Sequence, residues 1–93
     1  MAGVNIVNIK QYCVLIEETS NAFRCGYEGK ANELLVSVFD GLPNAMASLN
    51  QEELSFVQGL IPILAEAQKT GDMIYVSDIL QYEILPRILK SSA

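Results

Sequence analysis

The sequence predicts an all-α fold, an up-and-down antiparallel bundle of four helices forming a single helical domain over residues 1–93. Three observations predict it. Apolar residues recur at alternating three- and four-residue steps in four segments, the period of a helix with one buried face. Turn signals around Gly26 to Gly29, at Asn50 and at Gly71-Asp72 separate the segments. Connections that short make consecutive helices antiparallel neighbours. No stretch alternates with period two between turn signals, so no sheet is expected.

The first segment places Ile6, Ile9, Cys13, Ile16, Ser20, Phe23 and Tyr27 on one seam, with Asn5 or Asn8 as N-cap. Gly26 and Gly29 bracket the turn that follows, where glycine supplies the left-handed conformation that closes a helix. In the second segment Ala31, Leu35, Val38, Leu42, Ala45 and Leu49 carry the seam, widened by Leu34 and Phe39. Gly41 and Pro43 interrupt it. Proline has no N–H to give the Phe39 carbonyl and its ring clashes there, which predicts a kink or break from Phe39 to Leu42.

The third start is the best marked. Asn50 caps, Glu53 is placed to reach back to it, and Leu49 with Leu54 occupies the two positions of a hydrophobic staple. Glu52 and Glu53 complement the positive end of the helix dipole. Leu54, Val57, Ile61, Leu64 and Gln68 continue the seam, with a kink expected near Pro62, and Lys69 and Gly71 close it. Asp72 caps the fourth segment, which carries two stripes. Tyr75, Ile79, Tyr82, Pro86 and Leu89 form one, and Val76, Leu80, Ile84 and Ile88 the other. Glu83 and Arg87 are spaced for a favourable i,i+4 pair.

Composition narrows the chemistry. The chain is 51% hydrophobic and 18% charged, which excludes intrinsic disorder. A formal charge of −5 with six scattered cations argues against binding a phosphate backbone, so no nucleic-acid partner is expected. There is no histidine, which removes His-based acid–base and nucleophile systems and nearly every zinc site. No Walker or dinucleotide glycine loop, CxxC, HExxH, EF-hand ladder or nucleophile elbow occurs. The expectations are accordingly no enzyme, no catalytic residue, no cofactor and no metal. Glu17-Glu18 and Glu52-Glu53 are adjacent pairs that diverge by about 100° on a helix, so they read as solvated faces. Asp40, Asp78 and Glu83 read as rim positions. Tyr12, Tyr27, Tyr75 and Tyr82 read as boundary residues, ring buried and hydroxyl wet.

The N-terminus lacks the pattern of a signal peptide, and the longest aliphatic run, Leu60 to Ala65, is interrupted by Pro62. No membrane span is expected. Cys13 and Cys25, twelve residues apart on one helix, would lie about 18 Å apart, too far to bridge each other. A cytoplasmic, reduced protein is the expectation.

Two local stretches resemble known families. Glu33-Leu34-Leu35-Val36-Ser37-Val38-Phe39-Asp40-Gly41 is similar to the aliphatic helix with an aromatic-Asp-Gly step in flagellin export chaperones, which are small helical bundles. The run from Gly71 to Pro86, GDMIYVSDILQYEILP, resembles the closing helix of small uncharacterised bacterial helical proteins. Neither resemblance carries over a functional residue.

The surface arithmetic points to an interaction module. A chain this apolar and this sparsely charged has more apolar face than a monomer needs. The expected function is a non-enzymatic adaptor or chaperone-like module, self-associating as a homodimer or holding an amphipathic helix of another protein. The expected groove is lined by Leu35, Val38, Phe39 and Leu42 with Tyr75, Ile79 and Tyr82. The alternative is a small-molecule or lipid-binding bundle with an apolar cavity where Pro43 and Pro62 bend their helices apart.

Overall fold

The computed structural model describes residues 9–91. Four helices run through them: α1 (Ile9–Arg24), α2 (Glu28–Met46), α3 (Gln51–Lys69) and a fourth built from three consecutive segments. Those are α4 (Met73–Asp78), a π-helical stretch (Ile79–Ile84) and α5 (Leu85–Ser91). No strand occurs among the described residues. Ile6, Asn5 and Asn8, read as the start of the first seam and its caps, lie outside them.

Side-chain contacts fix the directions. Tyr12 near the start of α1 reaches Val38 in the second half of α2. Asn32 at the start of α2 meets Gln68 at the end of α3, at 3.1 Å. Glu53 at the start of α3 meets Arg87 in α5, at 3.0 Å, and Ser20 late in α1 meets Ser77 in α4. Each pair joins one helix's beginning to another's end, so the bundle is up-and-down and antiparallel, as the short connections predict.

Two turns share one device. After α1 the Tyr27 N–H donates to the Ala22 carbonyl and the Gly26 N–H to that of Phe23. After α3 the Asp72 N–H donates to Ala67 and that of Gly71 to Gln68. This is the Schellman arrangement, and it needs a left-handed residue, supplied by Gly26 at φ 79° and Gly71 at φ 76°. The seam of α1 therefore stops before Tyr27. That residue stands exposed at the head of α2 rather than on the α1 core face.

Neither proline breaks its helix. α2 continues from Pro43 to Met46, and α3 from Pro62 to Lys69. Pro43 falls in the last turn of its helix, and both rings are exposed, so neither has to be packed in the core. The fourth helix is irregular in another way. Val76, Leu80, Ile84 and Ile88 are all fully buried. Three steps of four would carry such a stripe about 120° around an α-helix of 3.6 residues per turn. The π segment, where the Leu85 N–H donates to the Leu80 carbonyl, widens the turn and keeps the stripe on the core. Pro86 follows at once. In an α-helix its ring would press on the Tyr82 carbonyl, and the wider turn relieves that clash.

α1 is the hub. It packs against α2 on one side and along the whole fourth helix on the other, while α3 leans on the fourth helix. Close approach of α1 to α4 rests on small residues: Ser20 and Ser77, both fully buried, bring their hydroxyls to 2.8 Å. Ser20 Oγ also lies 3.1 Å from Gln81 Oε1, and Ser77 Oγ donates to the Ser20 carbonyl at 3.2 Å. Every buried side-chain polar atom among the described residues has a partner. No helix of the described residues is long and apolar enough to cross a membrane.

Candidate interaction surface

The seven residues expected to line one groove are divided by the fold. Leu35, Val38, Leu42 and Ile79 are at most 3% exposed and belong to the core. Phe39 is half-buried against that core. Tyr75 and Tyr82 are exposed on the fourth helix, 46% and 59%. Tyr75 borders a cleft with Pro62 and Ile63 of α3, whereas Tyr82 lies under the Arg24 guanidinium of α1, 5.6 Å from the ring centroid. The expectation of a single open groove from these seven is corrected. One seam of α2 and the 76-80-84-88 stripe face the inside of the bundle, so their residues form interior.

The tyrosines also differ from expectation. Tyr12 is buried, hydroxyl included, and donates to the Val38 carbonyl. Burial pushes its ionisation far above the ordinary value of 10.0, with the neighbouring Cys13 adding to the effect. The Cys13 thiol is likewise pushed up, first by burial and then by the Glu17 carboxylate. Cys25 stands exposed in the turn after α1.

Both arginines are pinned. Arg24 pairs with Asp78 at 3.2 Å while lying over Tyr82. Arg87 pairs with Glu53 at 3.0 Å and Glu83 at 3.3 Å, and its guanidinium stacks over Phe56 at 3.8 Å. A further bond from Arg87 Nη1 to the Glu83 carbonyl, 2.8 Å, satisfies backbone at the end of the π segment. Glu53 therefore turns to Arg87, and only half of the expected capping box forms, the Glu53 N–H donating to Asn50 Oδ1 at 2.8 Å. Among the described residues no group of three metal-ligating side chains comes together.

The open side of the bundle lies between α2 and α3. These helices are joined by a short turn but approach each other less closely than α1 approaches α2. A cleft of about 480 Å³ remains between them, lined by Pro43, Met46, Leu49, Leu54, Gln58 and Ile61. None of these carries a charge. The turn closes it at one end; beyond its other end, toward the start of α2 and the end of α3, the Asn32–Gln68 hydrogen bond ties the two helices together. None of the seven expected groove residues lines this cleft; its walls are the end of α2 with the following turn on one side and α3 on the other. The staple residues Leu49 and Leu54 are the available signal, since they mark where α2 gives way to α3.

Neither a curated protein nor a solved structure matches the chain. A family model does, described as a domain of unknown function, DUF8042, and it spans residues 14–92, from the first turns of α1 past the end of α5. The match takes in α1 from Val14 onward, the other three helices and both arginine stacks, and on that extent the chain belongs to the DUF8042 family.

Proposed function

We propose that the chain is a non-enzymatic helical interaction module, adaptor- or chaperone-like, which holds an apolar helical surface in the α2–α3 cleft. The carrying observation is that cleft, an uncharged seam left between two helices that the rest of the bundle does not close. Helix-in-groove recognition uses apolar anchors at helical spacing, and Leu54 and Ile61 on α3 face Pro43 and Met46 on α2 across the cleft. The occupant is a second copy or an amphipathic helix of another protein. Two free thiols suit work in the reducing cytoplasm.

A second reading takes the same cleft as a lipid or small-molecule site. Its volume of about 480 Å³ favours that, because small-molecule sites span roughly 300–1,000 Å³. Native mass spectrometry of the protein purified from its own host separates the two. The module reading expects a protein complex that Gln58→Lys, which sets a charge in the cleft, dissolves. A retained small apolar ligand lost in the same variant transfers the site to the second reading. A bare monomer in both wild type and variant overturns both.

A further inference from the structure

We propose that the occupant of the α2–α3 cleft is the same cleft of a second copy, giving a twofold dimer in which α2 of each protomer lies against α3 of the other. This rests on the reading of the cleft as a protein-binding seam.

Charge is the first argument. The whole chain carries −5, so two copies repel unless they meet through a surface free of net charge. The cleft lining is such a surface. A foreign basic helix, by contrast, would find its attraction on the acidic remainder of the molecule.

The rim is the second. Glu33 on α2 and Lys69 on α3 flank the Asn32–Gln68 hydrogen bond, one on either side of the seam at the same end. Both are exposed, and neither makes an ion pair with another of the described residues. A twofold axis running along the seam exchanges the two sides without changing height. It therefore sets Glu33 of each copy opposite Lys69 of the other, two pairs per dimer. An isologous contact of this kind closes on itself and leaves no open end to polymerise.

Size sets the strength. From residue 32 to residue 46 the seam runs about 21 Å, and two helices side by side give a footprint of roughly 400 Å². That is below the roughly 800 Å² per partner of a standard stable interface, so the association is a weak, concentration-dependent one.

Sedimentation velocity of the full chain alone, from micromolar to hundreds of micromolar, tests it. The expected result is a concentration-dependent monomer–dimer equilibrium. Gln58→Lys, at an exposed position, should abolish it by burying an unpaired charge. Glu33→Lys and Lys69→Glu should each weaken it on the order of fivefold, since each reverses one member of both rim pairs. Mixing those two single variants should restore association as a heterodimer. Positions 33 and 69 are then both positive in one copy and both negative in the other, so each rim pair again joins opposite charges. Circular dichroism confirms that each variant keeps its fold. A chain that stays monomeric at hundreds of micromolar overturns the dimer, while the complex from host cells still decides the module reading. Dimers indifferent to Gln58→Lys, or mixed variants that form no heterodimer, also overturn it.

Discussion

Tyr12 ties together several features that are only half visible in the sequence. Its ring lies across Gly41: a Cβ built at that glycine would meet Tyr12 Cε1 at 2.7 Å. The ring cannot swing aside, because it is buried and its hydroxyl is committed to the Val38 carbonyl. Gly41→Ala therefore sets a helix-propensity gain of about 1 kcal/mol against an overpacking cost of about 1–3 kcal/mol. The expected outcome is net destabilisation, read as a lower chemical-denaturation midpoint. A midpoint raised by Gly41→Ala would show that the ring is free to move. Tyr12 also makes stability depend on alkali. Its ionisation is raised in the fold, so the unfolded chain releases its proton first, near 10.0. The contribution is complete below that pH and drains away as pH climbs above it. Tyr12→Phe should cost about 1 kcal/mol at neutral pH through the lost hydrogen bond. It should also show a flatter decline above pH 10, so that the two stability curves converge. Thiol labelling gives a further check. Cys13 is buried with its thiolate disfavoured, whereas Cys25 is exposed. In the native state Cys25 should react rapidly and Cys13 only at the rate of opening, and equal rapid labelling would contradict this placement.

At the scale of single helices, the legible features were those set by local chemistry. Asn50 and Asp72 cap as their side chains demand, accepting from the N–H groups of Glu53 and Tyr75. Gly26 and Gly71 close helices because only glycine takes that conformation cheaply. The 3-4 periodicity of Cys13, Ile16, Ser20 and Phe23 gave the buried face of α1, and all four are buried. What local reasoning missed came from competition between neighbours. Glu53 was a capping partner until Arg87, distant in sequence, offered a stronger one. The π segment was written in the sequence as a stripe of three four-residue steps ending beside Pro86, a spacing too long for an α-helix. This gives a direct test by deletion. Removing Tyr82, an exposed residue inside the π segment, shortens one step from four to three and restores an average close to the α-helical period. The variant should keep the same buried stripe and still melt cooperatively, but at lower stability, by up to about 3 kcal/mol, because the Pro86 ring then presses on the Gln81 carbonyl. Deleting Ser37, equally exposed but within regular α2, should instead turn half the helix out of the core and abolish cooperative melting. If both deletions unfold the chain, the wide turn is not an accommodated insertion.

Across the whole molecule, the fold class was readable because four amphipathic segments with short connections leave few other arrangements. Which apolar faces stay open was not. Which apolar stripe becomes interior depends on which helices pair, and periodicity reports a face without naming its neighbour. Phe39 and Tyr82 looked equivalent in the sequence, yet one packs on the core and the other lies under Arg24 in solvent. The same unevenness of pairing predicts how the bundle opens. α1 is clasped between α2 and the fourth helix and buries Tyr12, Cys13, Ile16, Thr19, Ser20 and Phe23. α3 buries only Val57, Leu64 and Ala67 over nineteen residues and leaves a cleft on its α2 side. Fewer buried apolar contacts mean a lower free energy of local opening. Hydrogen exchange under native conditions should therefore release the amides of α3 first, while those of α1 and of Val76 to Ile88 persist to global unfolding. Raising the protein concentration should slow exchange in α2 and α3 selectively if the seam is covered by a second copy, because binding to the closed form withdraws population from the open one. Uniform protection of α1 and α3 would mean that the seam between α2 and α3 is as firmly closed as the rest of the bundle, contrary to its geometry.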